Sequence, residues 1–228
     1  MMIYVSNILQ PMSIKHVSFD LDGTLIDSEG LMEYSWNRAT NQLGIHCEFK
    51  EYKKYVGLPF NKIVDKLGLS NVCEDLSNSY FRSNSENINL IKINPNALEI
   101  LEYLEENKIE FSLITSKPRK NTLEIIDFFR LPIRFIICGD DVKRGKPCSD
   151  SFELLVKSFN LKTSEILYVG DMLSDLLFSI NSKVRYVHYS GGIEKFFDEY
   201  LVADYLKIQN LCDLKGIIDN NVSSDTYV

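Results

Sequence analysis

Segments with the pattern of a β-strand alternate with segments that have helical spacing along most of this sequence. The predicted strands lie at 14–19, 109–115, 133–138, 165–170, 184–189 and 203–208. Helices are predicted between the later strands, at 121–129, 149–159 and 174–180. Strands and helices in this order form βαβ units, which assemble into a parallel sheet with helices on both faces.

One long segment, residues 28–92, interrupts this alternation and is predicted to be mostly helical. Its first helix is expected to run from Leu31 to a stop at Gly44. The alternation resumes at Asn94-Pro95, which is predicted to cap and start a helix. The predicted fold class is α/β: a Rossmann-like core domain with a small helical cap domain inserted after the first strand. The predicted boundaries are 1–13 for an N-terminal appendage, 14–27 and 93–228 for the core, and 28–92 for the cap.

Composition excludes several classes of function. The 228 residues are 45% hydrophobic and 25% charged, as in an ordinary soluble protein, and the net charge is −7. That balance argues against nucleic acid or an anionic membrane as a partner. No apolar run reaches the roughly 20 residues that span a bilayer, and Met1 to Pro11 lacks the pattern of a secretory signal. Five scattered cysteines without a CxxC pair predict reduced thiols and a cytoplasmic protein, and three dispersed histidines argue against zinc.

Polar motifs follow four of the predicted strands. Ligands bind beyond the carboxyl ends of the strands in open α/β sheets, so these motifs are expected to meet in one site. They are Asp20-Leu-Asp22-Gly-Thr24, Thr115-Ser116-Lys117-Pro118, Gly145-Lys146-Pro147 and Gly170-Asp171-Met-Leu-Ser-Asp175. Asp residues also cap turns, but four converging motifs favour a functional site over that simpler interpretation.

The charges of these motifs predict a metal site. Asp20, Asp171 and Asp175 would repel one another and any phosphate, and a hard divalent cation such as Mg²⁺ removes that repulsion. Lys146 is predicted to offset the remaining charge. The hydroxyl of Thr115 and the backbone N–H groups after it, beginning at Ser116, are predicted to bind phosphoryl oxygens.

The same residues predict a two-step reaction. Asp20 is expected to attack phosphorus, which divides one difficult displacement into two easier ones. Asp22 is expected to protonate the leaving oxygen and then to take a proton from water. Its backbone carbonyl, rather than its side chain, is expected to hold the metal. Mg²⁺ and Lys146 are expected to stabilise charge on the transferring phosphoryl group.

These motifs resemble those of the haloacid dehalogenase-like hydrolase superfamily. The resemblance rests on Phe19-Asp-Leu-Asp-Gly-Thr24, Leu113-Ile-Thr115, Gly145-Lys-Pro147 and Tyr168-Val-Gly-Asp171 with Asp175. Within it, the chain looks like the phosphoglycolate phosphatase-like and β-phosphoglucomutase-like group, which implies a helical cap. Tyr55-Val-Gly57-Leu-Pro59 resembles the cap loop that touches substrate there. The chain has Ser116 where the group often has Asn, which weakens any transfer of substrate identity.

The predicted function is therefore that of a magnesium-dependent phosphatase of a small phosphorylated metabolite, a phosphoric monoester hydrolase. Two alternatives remain open at this stage. A phosphomutase would use the same aspartate but return the phosphoryl group to a sugar, and a non-catalytic regulatory or binding protein would use the fold without its chemistry. The protein is expected to be a monomer or a homodimer, with a cap hinge near residues 27–30.

Overall fold

A computed structural model describes residues 14–193 and 205–222, and it describes side chains up to residue 220. Eight strands occur in the described ranges: β1 His16–Phe19, β2 Ile26–Asp27, β3 Lys92–Ile93, β4 Glu110–Ile114, β5 Phe135–Ile137, β6 Ile166–Gly170, β7 Arg185–Tyr189 and β8 Leu206–Ile208. The α-helices are α1 Glu29–Gln42, α2 Phe49–Lys53, α3 Phe60–Lys66, α4 Cys73–Glu86, α5 Ala97–Glu106, α6 Arg119–Phe129, α7 Asp150–Phe159, α8 Leu173–Ser182 and α9 Asp213–Val222. The predicted appendage at 1–13 and the first two residues of the last predicted strand lie outside the described residues.

Six strands form one parallel sheet in the order β5-β4-β1-β6-β7-β8. The predicted α/β fold with a parallel Rossmann-like sheet is confirmed. Strand β1 lies between β4 and β6, with Phe19 opposite Leu113 on one side and Val169 on the other. The loops that follow these three strands therefore emerge side by side at one edge of the sheet.

The sheet is covered on both faces, as alternation of side chains along buried strands requires. Leu167 and Val169 belong to an apolar cluster with residues of α5, α6 and α9. Ile166 and Tyr168 point to the opposite face and belong to a second cluster with residues of α7 and α8. This double burial fixes the position of the central strands and of the loops at their carboxyl ends.

Helices α1 to α4 follow β2 and have an apolar cluster of their own. Its largest side chains are aromatic, including Trp36, Tyr52, Phe60 and Tyr80. Met172, from the loop after β6, also belongs to this cluster, so the helical segment packs directly onto the loops of the sheet. The separate cluster supports the proposal that residues 28–92 form a cap domain.

The connection between this segment and the sheet differs from the prediction in two respects. Strands β2 and β3 pair antiparallel over two residues each, which is too short for a sequence pattern to reveal. The prediction that Asn94 caps a helix was wrong, because α5 begins at Ala97 after Asn96, which has a φ of 62°. The side-chain amide of Asn94 instead donates to the carbonyls of Gly23 and Thr24, at 3.0 and 2.9 Å.

No helix in the described part of the chain is long and apolar enough to span a membrane.

Candidate active site

The loop after β1 carries Asp20 and turns back tightly against the loop after β6. Gly23 adopts a φ of 92° within it. A Cβ atom at Gly23 would lie 2.1 Å from Oδ2 of Asp171, so any larger residue would displace that carboxylate. The hydroxyl of Thr24 donates to Oδ1 of Asp171 at 3.2 Å. The glycine and the threonine of this loop therefore bring Asp171 close to Asp20.

Two carboxylates follow β6, one in the loop before α8 and one in the first turn of α8. Asp171 also accepts a hydrogen bond from the backbone N–H of Ile193, at 2.8 Å. Asp175 lies in the first turn of α8, where its Oδ2 accepts from the N–H of Met172 at 3.0 Å. Its Oδ1 accepts from the hydroxyl of Tyr168 at 2.8 Å. Both carboxylates are buried and held by donors on each oxygen.

Lys146 joins these groups to Asp20. Its Nζ lies 2.5 Å from Oδ1 of Asp20 and 2.8 Å from Oδ1 of Asp175, and its side chain is buried. Burial lowers the pKa of Lys146, but Asp175 and Asp20 outweigh that effect and raise it above its ordinary value. The ammonium group therefore stays charged and partly neutralises the carboxylates around it.

One oxygen each of Asp20, Asp171 and Asp175 lie within 4.8 Å of one another. Burial, together with the charge of Asp175, raises the pKa of Asp20 to about 7, although Lys146 lowers it. Burial and the neighbouring carboxylates of Asp175 and Asp20 raise the pKa of Asp171. Among the described residues, these three buried carboxylates have one ammonium group between them and are short of positive charge. Hard oxygen donors at this separation fit a Mg²⁺ ion.

Asp22 is held apart from this cluster. Its Oδ1 accepts a hydrogen bond from the hydroxyl of Ser28 at 2.6 Å, and Nζ of Lys117 lies 3.1 Å from its Oδ2. Burial lowers the pKa of Lys117, but Asp22 and the phenol of Tyr80 leave it above its ordinary value. The expectation that the backbone carbonyl of Asp22 holds a metal stays a prediction.

A cleft lies between the loops of the sheet and the helical segment, and the remaining predicted residues line it. Thr115 is buried at the end of β4, and its Oγ1 accepts from the backbone N–H of Lys117 at 3.2 Å. The hydroxyl of Ser116 donates to the carbonyl of Gly57 at 2.7 Å, so the predicted cap loop contacts the predicted phosphate-binding loop. Asp20 and Asp22 line the same cleft.

The structure thus brings the eight predicted site residues into two adjoining groups that share Asp20. The first group adds Lys146, Asp171 and Asp175, and the second adds the cleft residues Asp22, Gly57, Thr115 and Ser116. Sequence reasoning missed Lys117, Ser28 and Tyr168, each of which bonds a predicted carboxylate. Lys117 was present in a motif but carried no assigned role. Its position could have indicated a role, because it lies two residues after Thr115 in a loop that was predicted to contribute to the site.

Comparison with known proteins decides the family. Residues 17–189 match the model of a family described as haloacid dehalogenase-like hydrolase. The chain belongs to this family. The predicted resemblance, including that to phosphoglycolate phosphatases, is confirmed, and the chain is a hydrolase of this type.

Several relatives of this hydrolase are named as phosphatases. It is 29% identical to a phosphoglycolate phosphatase of Vibrio parahaemolyticus, over 74% of this chain and 80% of that protein. It is 26% identical to the phosphorylated carbohydrates phosphatase of Thermotoga maritima, over 69% of this chain and 76% of that protein. It is 23% identical to pyrophosphatase PpaX of Oceanobacillus iheyensis, over 85% of this chain and 94% of that protein.

Solved structures show the same fold. A hydrolase from Pseudomonas syringae superposes with a TM-score of 0.79 at 24% identity, covering 90% of this chain and 98% of that one. A hydrolase of the same superfamily from Ehrlichia chaffeensis has a TM-score of 0.62 at 21% identity, covering 92% of this chain and 98% of that one. The fold of this haloacid dehalogenase-like hydrolase is therefore shared over almost the whole length of both relatives.

Proposed function

We propose that this hydrolase is a magnesium-dependent phosphatase of a small phosphorylated metabolite, which acts through a phosphoryl-aspartate formed at Asp20. One observation carries the proposal. The buried carboxylate of Asp20 lies against Lys146 and two further carboxylates, and it opens onto a cleft that also holds Asp22 and Thr115. The relatives are named for phosphoglycolate, phosphorylated carbohydrates and pyrophosphate, all of which are phosphate compounds.

Asp20, Asp171 and Asp175 would hold the magnesium ion. When bound, it supplies positive charge that offsets the carboxylates and the phosphoryl oxygens during transfer. Lys146 supplies a second positive charge against the same oxygens, and the hydroxyl of Thr115 donates to one of them. These donors are fixed before the substrate arrives, which is the condition for effective electrostatic stabilisation.

In the first step, an oxygen of Asp20 attacks phosphorus and forms an acyl-phosphate bond while the ester P–O bond breaks. Asp22 gives its proton to the departing oxygen, so the leaving group departs as an alcohol. In the second step, Asp22 takes a proton from water, and the resulting hydroxide attacks phosphorus. The acyl-phosphate bond breaks, inorganic phosphate leaves, and Asp20 is restored as a carboxylate.

Ser28 and Lys117 hold Asp22 for this role, because each contacts one of its two carboxyl oxygens. Both partners lie at the junction of the helical segment and the sheet, so the position of Asp22 depends on the position of the cap.

The test is phosphate release from p-nitrophenyl phosphate with and without Mg²⁺, comparing the wild type with Asp20→Asn. Asparagine keeps the shape of the side chain but does not act as a nucleophile toward phosphorus, so release should fall to background. Asp127→Asn, at an exposed position on α6, is the matched control and should retain full activity. Full activity of Asp20→Asn would end the proposal. Conversion of a sugar phosphate to its isomer without free phosphate, in a separate assay, would indicate a mutase.

A further inference from the structure

On the side of the helical segment, mostly apolar side chains form the wall of the cleft above Asp20 and Asp22. Among its side chains are Met32, Val56, Leu58, Phe60 and Tyr80. Four of these five are buried, and Leu58 is half-buried. The group that leaves with the ester oxygen must occupy this space, because Asp20 and Thr115 take the phosphoryl group at the floor. The wall therefore contacts the leaving group.

The polar atoms of this wall bond to one another. The hydroxyl of Tyr52 donates to that of Tyr80 at 3.1 Å, and the rings of Tyr80 and Phe60 stack with centroids 4.9 Å apart. Burial raises the pKa of both tyrosines. The same poor solvation penalises any other anion in the cleft, such as the carboxylate of a substrate.

Lys117 is the one positively charged residue among the described residues that line this cleft. Its ammonium group is buried and already paired with Asp22. An anionic leaving group that recruited Lys117 would leave the partly buried carboxylate of Asp22 with Ser28 as its remaining partner. Removing one member of a buried ion pair is strongly unfavourable, so Lys117 is a poor site for a substrate anion.

From these contacts we infer the substrate class, an inference that rests on the proposed function. The preferred substrate is a phosphate monoester of a compact, uncharged alcohol with an apolar carbon skeleton, rather than an ester whose leaving group carries a carboxylate or a second phosphate. The preferred substrate of this chain then differs from the compounds for which several relatives are named, which include phosphoglycolate and pyrophosphate. The wall of α1 to α4 selects by excluding charge.

The sharpest test compares two esters of the same shape and different charge. Isobutyl phosphate and phosphoglycolate each carry four heavy atoms beyond the ester oxygen, but a carboxylate replaces the two methyl groups and their carbon in the second. With Mg²⁺, kcat/KM should be at least tenfold higher for isobutyl phosphate. An equal value, or a higher value for phosphoglycolate, would overturn the inference and leave the proposed phosphatase activity standing.

Binding separates failure of the inference from failure of the proposed function. If neither ester nor p-nitrophenyl phosphate is hydrolysed, the proposed function fails. Calorimetry with the non-hydrolysable isobutylphosphonate and phosphonoacetate decides the inference whenever the two esters are not hydrolysed. Isobutylphosphonate should bind at least tenfold more tightly in the presence of Mg²⁺. Tighter or equal binding of phosphonoacetate would contradict the apolar selectivity of the cleft.

A single variant should shift the preference toward the anionic ligand. Leu58→Lys places an ammonium group in the wall at a half-buried position, and phosphonoacetate should gain at least tenfold in affinity relative to isobutylphosphonate. Leu123→Lys makes the same change on the exposed face of α6 and should leave the ratio unchanged. An unchanged ratio in a folded Leu58→Lys protein would show that the wall does not contact the leaving group.

Discussion

Lys146 is the residue on which the charge balance of the site depends. Its ammonium group contacts Asp20 and Asp175, and all three side chains are almost fully buried. Breaking such a pair by removing one member leaves a buried charge without compensation, an effect of about 3–5 kcal/mol. A neutral side chain of similar length at this position therefore tests the role of the charge separately from packing.

We predict that Lys146→Met lowers phosphate release by at least about a hundredfold, because one fixed charge on the phosphoryl oxygens is lost. The free energy of unfolding, measured in urea, should fall by about 3 kcal/mol. Lys157→Met, at an exposed site on α7, is the control for both measurements. Activity of Lys146→Met within threefold of the wild type would contradict the assigned role.

His16 lies in the sheet, away from the site, and makes stability depend on pH. Its Nε2 is 2.8 Å from the hydroxyl of Ser112, and its ring lies 4.7 Å from that of Phe159. Burial lowers its pKa to about 4 from an ordinary value of 6.5. The unfolded chain therefore binds a proton at this residue between these values, whereas the folded chain does not. The stabilising contribution is complete above pH 6.5 and is lost as the pH falls toward 4.

We predict that His16→Gln removes this dependence. Between pH 6.5 and 4, the wild type should lose stability relative to the variant at about 1.4 kcal/mol per pH unit, or about 3 kcal/mol in all. Chemical denaturation at a series of pH values measures this difference in the free energy of unfolding. His46→Gln, at an exposed histidine, should show the slope of the wild type. Parallel curves for His16→Gln and the wild type would refute the prediction.

At the scale of elements, the loop between α2 and α3 is where the helical segment meets the sheet. Gly57 has a φ of 93°, and a Cβ atom there would lie 2.2 Å from the hydroxyl oxygen of Ser174. Its carbonyl accepts the hydrogen bond from Ser116. Conformation and close approach together thus require glycine in this loop.

Gly57→Ala and Gly68→Ala form a matched pair that separates these two requirements. Both glycines have positive φ, but a Cβ atom at Gly68 meets open space. Each variant should lose about 1–2 kcal/mol of stability from backbone strain. Only Gly57→Ala should also lower kcat/KM, by up to about a hundredfold, because the loop must move off Ser174 and away from the site. Partial recovery in Gly57→Ala/Ser174→Ala would confirm the contact, and equal activity of the two single variants would refute it.

Patterns along the chain predicted the central strands of the sheet well, because nearly all residues of β1, β6 and β7 are buried. Helix starts were harder. Ser149 does precede α7 as predicted, yet its hydroxyl donates to the carboxylate of Glu153 at 2.6 Å rather than capping the backbone. Asn94 has the composition of a cap but serves a loop 70 residues earlier in the chain. Polar side chains can bond to partners that are distant in sequence, and local helix propensity does not predict these partners.

At the scale of the whole molecule, the sequence predicted the floor of the site but only one loop of its wall, residues 55–59. The floor follows from topology, since β1, β4 and β6 are neighbours and their loops carry the motifs. The wall depends on how α1 to α4 fold back over that edge, and aromatic residues at helical spacing do not reveal which of them face a cleft. Tyr52 and Tyr80 are 28 residues apart, and only tertiary packing joins their hydroxyls.

The whole fold should also respond to magnesium, because the folded chain gathers carboxylates that the unfolded chain keeps apart. In the described part of the chain, Asp20, Asp171 and Asp175 share one buried space with a single ammonium group, that of Lys146. A cation that binds only the folded state stabilises it by about 2.7 kcal/mol at a hundred times its Kd. For a chain of this size, that corresponds to a rise in Tm of roughly 5–10 °C.

We predict this rise on adding MgCl₂ to metal-free protein, measured by calorimetry at constant ionic strength with NaCl as the reference. Asp171→Asn removes one charged ligand and should abolish most of the shift, whereas Asp127→Asn should keep it. The absolute Tm of Asp171→Asn without metal should not fall, because one of three mutually repelling carboxylates has been neutralised. A shift of equal size in Asp171→Asn and the wild type would mean that magnesium binds elsewhere, and the arrangement of the three carboxylates would then need another explanation.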